Sequence, residues 1–523
     1  MPTVPESERR APRWARLAVL CVVLSVIFFQ LGGRALNEPD EGRYAEAGRE
    51  MMATGDWFTP RINGIPHLSK PPLTYWLVGA SLRMFGVNEF AARLPAALAA
   101  LGTLLALYVL VRGMVDEPTA LWAVLMLASS ALFLLMARVI TADMLLTCWV
   151  TWSVWALWRR SRWFFVFAAL GMLTKGPVAV VLPLFALAGM PGRWREMSWG
   201  RGLVVFFLIS APWFVAQMIQ DPELGRYFLF REVVQRVASG EHGRSKPWWF
   251  MVVALLAGAL PWTLPAFGRL KFDAVGRVFM EWAGLGLALF VVSSSKLATY
   301  VLPLMPAMAA LAAMSPPRRW LNMVSAALLL SLCGLTFYFR LRHGMPLSIT
   351  LPLDVATVCG AVAAMVAARA DRVEAFRGVC VGTLLGVTAA LLTLIPVMER
   401  NFRHNTSFKF FADRIRQEDP QREAFVVGYF CLPQTLPFYL QESVWFYNPD
   451  ATNNTHVFEF RHPPPGTPLV ISEWTRYREM VRSGRRVFCV TSGDLAETML
   501  AKPGTTWHEV ERAGKSVLLT NQP

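Results

Sequence analysis

The stretch PDEGRYAEAGREMMATGDWFTPRINGIPHLSKPPLTYW, residues 39–76, carries Asp, Glu, Arg, His and Lys, yet apolar runs flank it at 17–33 and 93–111. About 20 mostly apolar residues cross a bilayer core, so the flanking runs read as spans and the polar stretch as part of the loop joining them. That reading makes the chain a membrane protein that crosses more than once. Inside the loop, residues 40–53 have helical spacing, with Tyr44, Ala47, Met51 and Met52 on one side. The spacing predicts a helix lying along the membrane surface.

Working outward, further apolar runs occupy 119–137, 142–158, 163–174, 177–190, 202–219, 248–267, 278–293, 297–314, 320–338, 350–368 and 378–397. The expected fold is an all-α polytopic membrane protein of about thirteen spans, followed by a small C-terminal α/β domain. The basic leader holds Arg9, Arg10, Arg13 and Arg16 and has no evident cleavage site before Glu38, so the first run reads as an uncleaved anchor. With the leader cytoplasmic, strict alternation puts the connections at 112–118, 159–162, 191–201, 268–277, 315–319 and 369–377 in the cytoplasm. Each carries Arg or Lys, as cytoplasmic loops do. The odd count places the tail on the other face, which in a bacterial inner membrane is the periplasm.

Composition agrees with this layout. Of 523 residues, 54% are hydrophobic and only 17% are charged, against about 25% in soluble domains. A soluble enzyme, a disordered scaffold and a disulfide-stapled secreted protein are excluded. The net charge of +15 comes from 51 basic and 36 acidic residues, and the tail 399–523 accounts for 15 and 14 of them. The excess therefore sits in the short loops of the apolar part. It is a topology signal and implies no nucleic-acid partner.

Two domains are expected: 1–398, with long outer loops at 34–92 and 220–247, and the tail 399–523. In the tail, FKFFADRIRQE reads as a helix, and AFVVGYF, PLVISE, RRVFCVT and KSVLLT read as short buried strands. Cys431 and Cys489 both fall in this outer domain, where an oxidising compartment allows a disulfide. No CxxC or HExxH spacing marks a metal site. No cofactor is called for, and the sequence leaves open whether a divalent metal takes part.

Charges near a membrane core are costly and mark function. On the outer side they gather at Asp40-Glu41, at His67-Leu-Ser-Lys70, from Arg138 to Asp143, at Lys175-Gly-Pro, in 240–249 with His242, and from Ser293 through Lys296 to Tyr300. Carboxylates at Asp40 and Asp143 suit orientation or deprotonation of an acceptor beside an oxocarbenium-like centre. Arg43, Lys70, Arg138 and Lys296 suit a phosphate. Taken singly, Asp143 reads equally as the cap of the span that begins at Met144, and Lys70 as a snorkelling side chain.

The run 39–76 resembles the first outer loop of the integral-membrane GT-C glycosyltransferases, above all the lipid A aminoarabinose transferase (ArnT) type, relatives of protein O-mannosyltransferases. ARVITADMLLT, LTKGPVAVVLP, the EHGR and PWW stretch and SSSKLATYVLPLMP resemble later blocks of that type, in the same order. The resemblance implies an inverting transferase that takes a sugar from a polyprenyl-phosphate carrier to a periplasmic acceptor, lipid A or another. It implies Asp40 and Asp143 as the essential aspartates, Lys70 and Arg43 at the carrier phosphate, Tyr300 in the same cavity, and His242 on the long loop. Ser69 departs from the acidic residue of the aminoarabinose transferases at that place, and with it from their metal-site pattern. A transporter of lipid-linked sugars is the rival from another class. Against it, the reactive residues sit at one face, and no two halves of the chain look alike.

Overall fold

The computed structural model describes residues 11–220, 246–260, 273–314, 407–431, 433–447, 474–502 and 506–522, with isolated positions between them. Expected spans at 320–338, 350–368 and 378–397, and the loop holding His242, lie wholly or largely outside the described residues. The chain divides into two compact units: Met1–Leu31 with Ala96–Leu394, and Gly32–Pro95 with Ile395–Pro523.

The first unit is helical. Three described helices are long and apolar enough to cross a membrane: α4 (Glu89–Met114), whose first residues belong to the second unit, α10 (Trp199–Gln220) and α12 (Ala274–Val292). Shorter apolar helices share the core, including α1 (Arg13–Phe28), α5 (Glu117–Ala128), α7 (Ala142–Trp158) and α9 (Val178–Ala188), while α8 (Trp163–Lys175) packs a second cluster with Ala156, Leu157 and Met197. The run expected as one span over 119–137 is broken at Ser129-Ser130, where α5 stops and α6 (Ala131–Met136) starts. A broken helix in an apolar medium must find internal partners for its freed polar groups. Here Ser129 Oγ donates to Leu125 O at 2.6 Å and accepts from Trp262 Nε1 at 2.8 Å, while Ala131 N donates to Leu260 O at 3.1 Å. The final described run is likewise split, into a 3₁₀ segment (Ala298–Leu304) and α13 (Met305–Met314).

The second unit joins the loop of 39–76 to the tail. Helix α2 (Asp40–Thr54) forms where the spacing placed it, but it does not lie on a surface: every residue from Ala45 to Met51 is buried. It packs on α3 (Leu73–Phe85) and on α15 (Thr435–Leu440). Small residues make this possible. A Cβ on Gly48 would stand 2.9 Å from Gly79 N, and one on Gly42 would stand 2.8 Å from Thr435 Cγ2. Asn63 and Gly64, both at positive φ, turn the hairpin of β1 (Arg61–Ile62) and β2 (Ile65–Pro66). Asn63 Oδ1 then accepts from Val444 N at 2.7 Å.

The tail sheet has the order β5-β4-β3-β6-β8-β7. Its parallel part comprises β3 (Phe425–Tyr429), β4 (Trp445–Tyr447), β5 (Val470–Ile471) and β6 (Val487–Ser492). Strands β7 (His508–Ala513) and β8 (Ser516–Thr520) close it antiparallel. Helix α14 (Lys409–Glu418) and four of these strands sit where the sequence pattern put them. The other two, β4 and β7, carry no such pattern: one is three residues long, and the other is a largely exposed edge with a register shift at Glu509 and Glu511. Cys431 and Cys489 are both free. The Cys431 thiol donates to Val490 O at 3.2 Å, and the disulfide that the sequence allows is not formed.

The start of α2 is fixed by a buried ion cluster. Arg93, with no exposed surface, donates from Nε and Nη2 to the two oxygens of Glu41 at 2.8 and 3.0 Å, and to the carbonyls of Arg34 and Ala35. Arg34 Nη1 and Asn37 N also donate to Glu41, at 2.8 and 3.0 Å. Burial opposes the Glu41 charge, but Arg93 and Arg34 together outweigh it and bring its pKa down to about 2. A depressed carboxylate stabilises the fold above its unfolded pKa and loses that contribution as pH falls through the folded one. We expect Glu41→Ala to cost on the order of 3–5 kcal/mol, the usual penalty for breaking a buried pair. The native protein should lose thermal stability progressively below about pH 4.5. Thermal unfolding of the detergent-solubilised protein across pH checks both, and a native-like midpoint for the variant would contradict the clamp.

Candidate active site

In the second unit, Pro39 precedes the first turn of α2 and Asp40 is its first residue. With Glu41 turned inward and saturated, the Asp40 side chain is left outward and 65% exposed, paired with Arg43 Nη2 at 2.5 Å. Arg43 is itself only 14% exposed, so its stem is packed while its charge reaches the carboxylate. The second group of polar residues lies in the turn before α3. There Ser69 Oγ meets His67 Nε2 at 2.9 Å, and Lys70 Nζ donates to Ser69 O at 2.8 Å. The Tyr75 ring stacks on Tyr44 at 5.4 Å and takes the edge of His67 at 6.2 Å. Burial raises the Tyr75 phenol, while its hydrogen bond with Ser69 and the charge of Arg43 act the other way. Tyr75 thus bonds to Ser69 and lies within reach of the Arg43 charge.

Two residues before Asp40, the Glu38 carboxylate accepts from Thr435 N, at the start of α15. Burial pushes Glu38 up to about 7, with the Thr435 hydrogen bonds working against the rise. Among the described residues no three His, Cys, Asp or Glu side chains converge as a metal would need.

In the first unit, Thr141 caps α7 through its side chain, which accepts from Asp143 N. Asp143 is therefore not the cap. Its carboxylate, buried with the residue 7% exposed, pairs with Lys175 at the end of α8. The ammonium of Lys175 lies 4.7 Å from the centre of the Tyr300 ring, a cation–π distance. Gly176, at φ 82°, and Pro177 then break the chain between α8 and α9, which ends the helix at the lysine. Asp143, Lys175 and Tyr300 form one cluster. Lysine 175 stood out in the sequence as a charge interrupting an apolar run but was not placed in the site; the Lys-Gly-Pro break was its signal. Tyr44 and Tyr75 gave no such signal, being ordinary aromatics of a helix face.

Arg138 sits differently from its expected role. Its Nη1 donates to Val26 O and Ile27 O at 3.1 Å each, and its Nη2 to Phe29 O at 2.7 Å and Gln30 O at 3.1 Å. Both terminal nitrogens are thereby taken up by the carbonyls at the end of α1, the groups a helix C-terminus leaves open. Arg138 thus clamps the end of α1. Lys296 is buried and donates to Ser293 O at 2.5 Å, just past the end of α12.

Comparison with known proteins agrees with this picture. The family model described as dolichyl-phosphate-mannose-protein mannosyltransferase matches residues 69–216. An undecaprenyl phosphate-alpha-4-amino-4-deoxy-L-arabinose arabinosyl transferase of Edwardsiella ictaluri is 33% identical over 315 residues, which cover 55% of this chain and 57% of the relative. A protein of the same name from Pseudomonas aeruginosa is 34% identical over 297 residues, covering 52% and 54%. The chain thus spans a little over half the length of the curated relatives it matches. The crystal structure of ArnT from Cupriavidus metallidurans bound to undecaprenyl phosphate superposes with a TM-score of 0.84 at 25% identity, over 98% of both chains. Its apo form gives 0.82 at 23% identity. The chain shares the ArnT fold.

The clamp assignment has a direct consequence. Arg138→Ala should release the end of α1 and cost on the order of 3 kcal/mol, given charge-assisted bonds of about 1.5–3 kcal/mol each that are partly replaced by water. The thermal midpoint of the purified protein should fall. An unchanged midpoint with weakened binding of the carrier lipid would restore Arg138 as a ligand.

Proposed function

We propose that this relative of the ArnT-type transferases is an inverting glycosyltransferase. It moves 4-amino-4-deoxy-L-arabinose from undecaprenyl phosphate to lipid A at the periplasmic face of a bacterial inner membrane. The observation that carries the reading is the agreement in fold, over nearly the whole chain, with an ArnT bound to undecaprenyl phosphate. The printed names of the curated relatives supply the sugar. In this reading residues 1–398 form the catalytic domain with about thirteen spans and a cytoplasmic N-terminus, and 399–523 form a periplasmic domain.

The reaction is a direct displacement. An oxygen of the acceptor forms the new bond to the anomeric carbon, and the bond from that carbon to the carrier phosphate breaks with its electron pair. Undecaprenyl phosphate leaves, and the configuration inverts. Lys70 and Arg43 receive the charge of the departing phosphate, and exclusion of water strengthens such interactions. A lipid A phosphate is already an anion, so Asp40 and Asp143 then orient the acceptor and the amino group of the sugar. If the acceptor is a hydroxyl, Asp40 takes its proton. Lys175 pairs with Asp143 and Tyr300 flanks that ammonium, and we keep Lys296 and His242 as further proposed ligands of the carrier or substrate. The match of 69–216 to a protein mannosyltransferase model favours, as the second reading, another polyprenyl-linked sugar passed to a protein or to another glycolipid.

Mass spectrometry of lipid A from cells with and without the protein tests the proposal. An added pentosamine is expected, and an unmodified lipid A would direct attention to the second reading. Asp40→Ala and Lys70→Ala should each lower turnover by at least about a hundredfold, the scale of a lost electrostatic or acid–base contribution, with membrane levels unchanged. Near-native turnover in either would remove that residue from the mechanism.

A further inference from the structure

The segment WTRYREMVRSGRR, residues 474–486, packs five arginines with a single acidic residue, Glu479. The rest of the tail holds 10 basic and 13 acidic residues. Helix α16 (Trp474–Arg482) crosses the parallel part of the sheet and buries Tyr477 against Val427, Tyr447 and Val487, with Met480 and Val481 beside them. Its apolar side is therefore fully used by the sheet. Trp474, Arg476, Arg478, Arg482 and Arg485 remain exposed. Arg486 differs: it bonds to Glu418 Oε2 at 2.8 Å. The four exposed arginines form no ion pair among the described residues. Arg478 and Arg482 stand four apart on the helix, where like charges repel.

Aromatic rings lie between these charges. The Arg476 guanidinium is 6.0 Å from the centre of Trp445, and that of Arg485 is 5.3 Å from Phe425. Phe425 and Trp445 meet edge to face at 6.1 Å. At the other end Trp474, 44% exposed, lies against Tyr477 at 5.4 Å, and Phe430, 40% exposed, against Tyr447 at 5.7 Å. Tyr447 and Tyr429 end the parallel strands β4 and β3, whereas Phe425 and Trp445 begin them, so the ring-backed arginines stand at the amino ends of these strands. Arginine forks suit phosphate oxygens, and exposed aromatic faces suit the apolar faces of sugar rings. A helix that inserts into a bilayer keeps its apolar side for the lipid; α16 has spent that side on the sheet. What it offers outward is charge and ring surface.

We infer that the exposed arginines of α16, with Arg485 of the turn after it, form a docking surface for the phosphorylated sugar headgroup of a glycolipid, the class of acceptor proposed above, and in that respect it rests on that reading. The surface captures the acceptor by its phosphates and sugar rings, separately from the residues assigned to chemistry.

The test uses the full chain in nanodiscs of phosphatidylcholine and, as probe, the deacylated glucosamine disaccharide bearing two phosphates, with calorimetry as the readout. The quadruple variant Arg476→Gln, Arg478→Gln, Arg482→Gln and Arg485→Gln should bind the probe at least about tenfold more weakly. Lys70→Ala should retain that binding, and the unphosphorylated disaccharide should bind poorly to the native protein. Equal affinity in the native and quadruple variants overturns the surface. So does equal binding of inorganic phosphate, which would make it a general anion patch, or of the unphosphorylated sugar. Lipid A that gains its pentosamine while the quadruple variant binds normally sinks this inference alone. Absence of the pentosamine, with the arginine-dependent binding intact, sinks the transfer reaction and leaves the surface standing.

Discussion

Everything in the second unit depends on one buried carboxylate. Glu41 is 1% exposed and is held by Arg93, Arg34 and the Asn37 amide. A charge so placed is tolerable only because its partners are in position and hydrogen-bonded. The geometry has a directional effect. Adjacent residues on a helix point about 100° apart, so tying Glu41 inward sets where Asp40 must point. The exposed aspartate and the buried glutamate beside it are two results of one constraint. The tail reinforces it, since Thr435 both packs on Gly42 and donates to Glu38.

A comparable economy appears in the first unit. Polar backbone groups freed by a helix break or a helix end are costly in an apolar surrounding, and each such place is met by a named side chain. Ser129 and Ser130 serve the gap between α5 and α6. Arg138 serves the end of α1. Lys296 serves the end of α12. Against that background Asp143 and Lys175 differ, because they neutralise each other and leave helix caps to Thr141 and to the Gly176-Pro177 break. Charges that close a helix end are explained by the fold. This pair is not.

The legible parts of the sequence were those with a local signature. Apolar runs gave the helices, alternation of short buried strands gave four of the six in the tail sheet, and the polar loop of 39–76 gave its helix. What was not legible depended on partners far away in sequence. The buried circumference of α2 depends on Thr435, about 390 residues on, and on the hairpin that binds Val444. The 40–53 pattern alone, with Glu46, Arg49 and Glu50 on it, reads as a surface helix because nothing local shows that Arg49 answers Glu46 at 2.6 Å or that Gly64 N answers Glu50. The clamp made by Arg138 was hidden for the same reason. A lone arginine near a span end looks like an anion ligand until the four carbonyls it serves are seen.

Basic residues therefore divide by what saturates them. The net charge of +15 suggests an anionic partner, yet much of the basic excess lies in short loops between apolar runs, and Arg93 and Arg138 are used within the fold. Arg43 belongs to neither group. It pairs with a carboxylate that is itself 65% exposed, an acid that solvent can reach. A buried partner would lock that arginine, whereas an exposed one leaves the pair open to exchange for a ligand, because an exposed ion pair is worth at most about 1 kcal/mol. The same reasoning applies to the face of α16, where exposed guanidinium groups rest on ring faces instead of carboxylates. Where this fold leaves arginine charge available, it does so by withholding a buried acid.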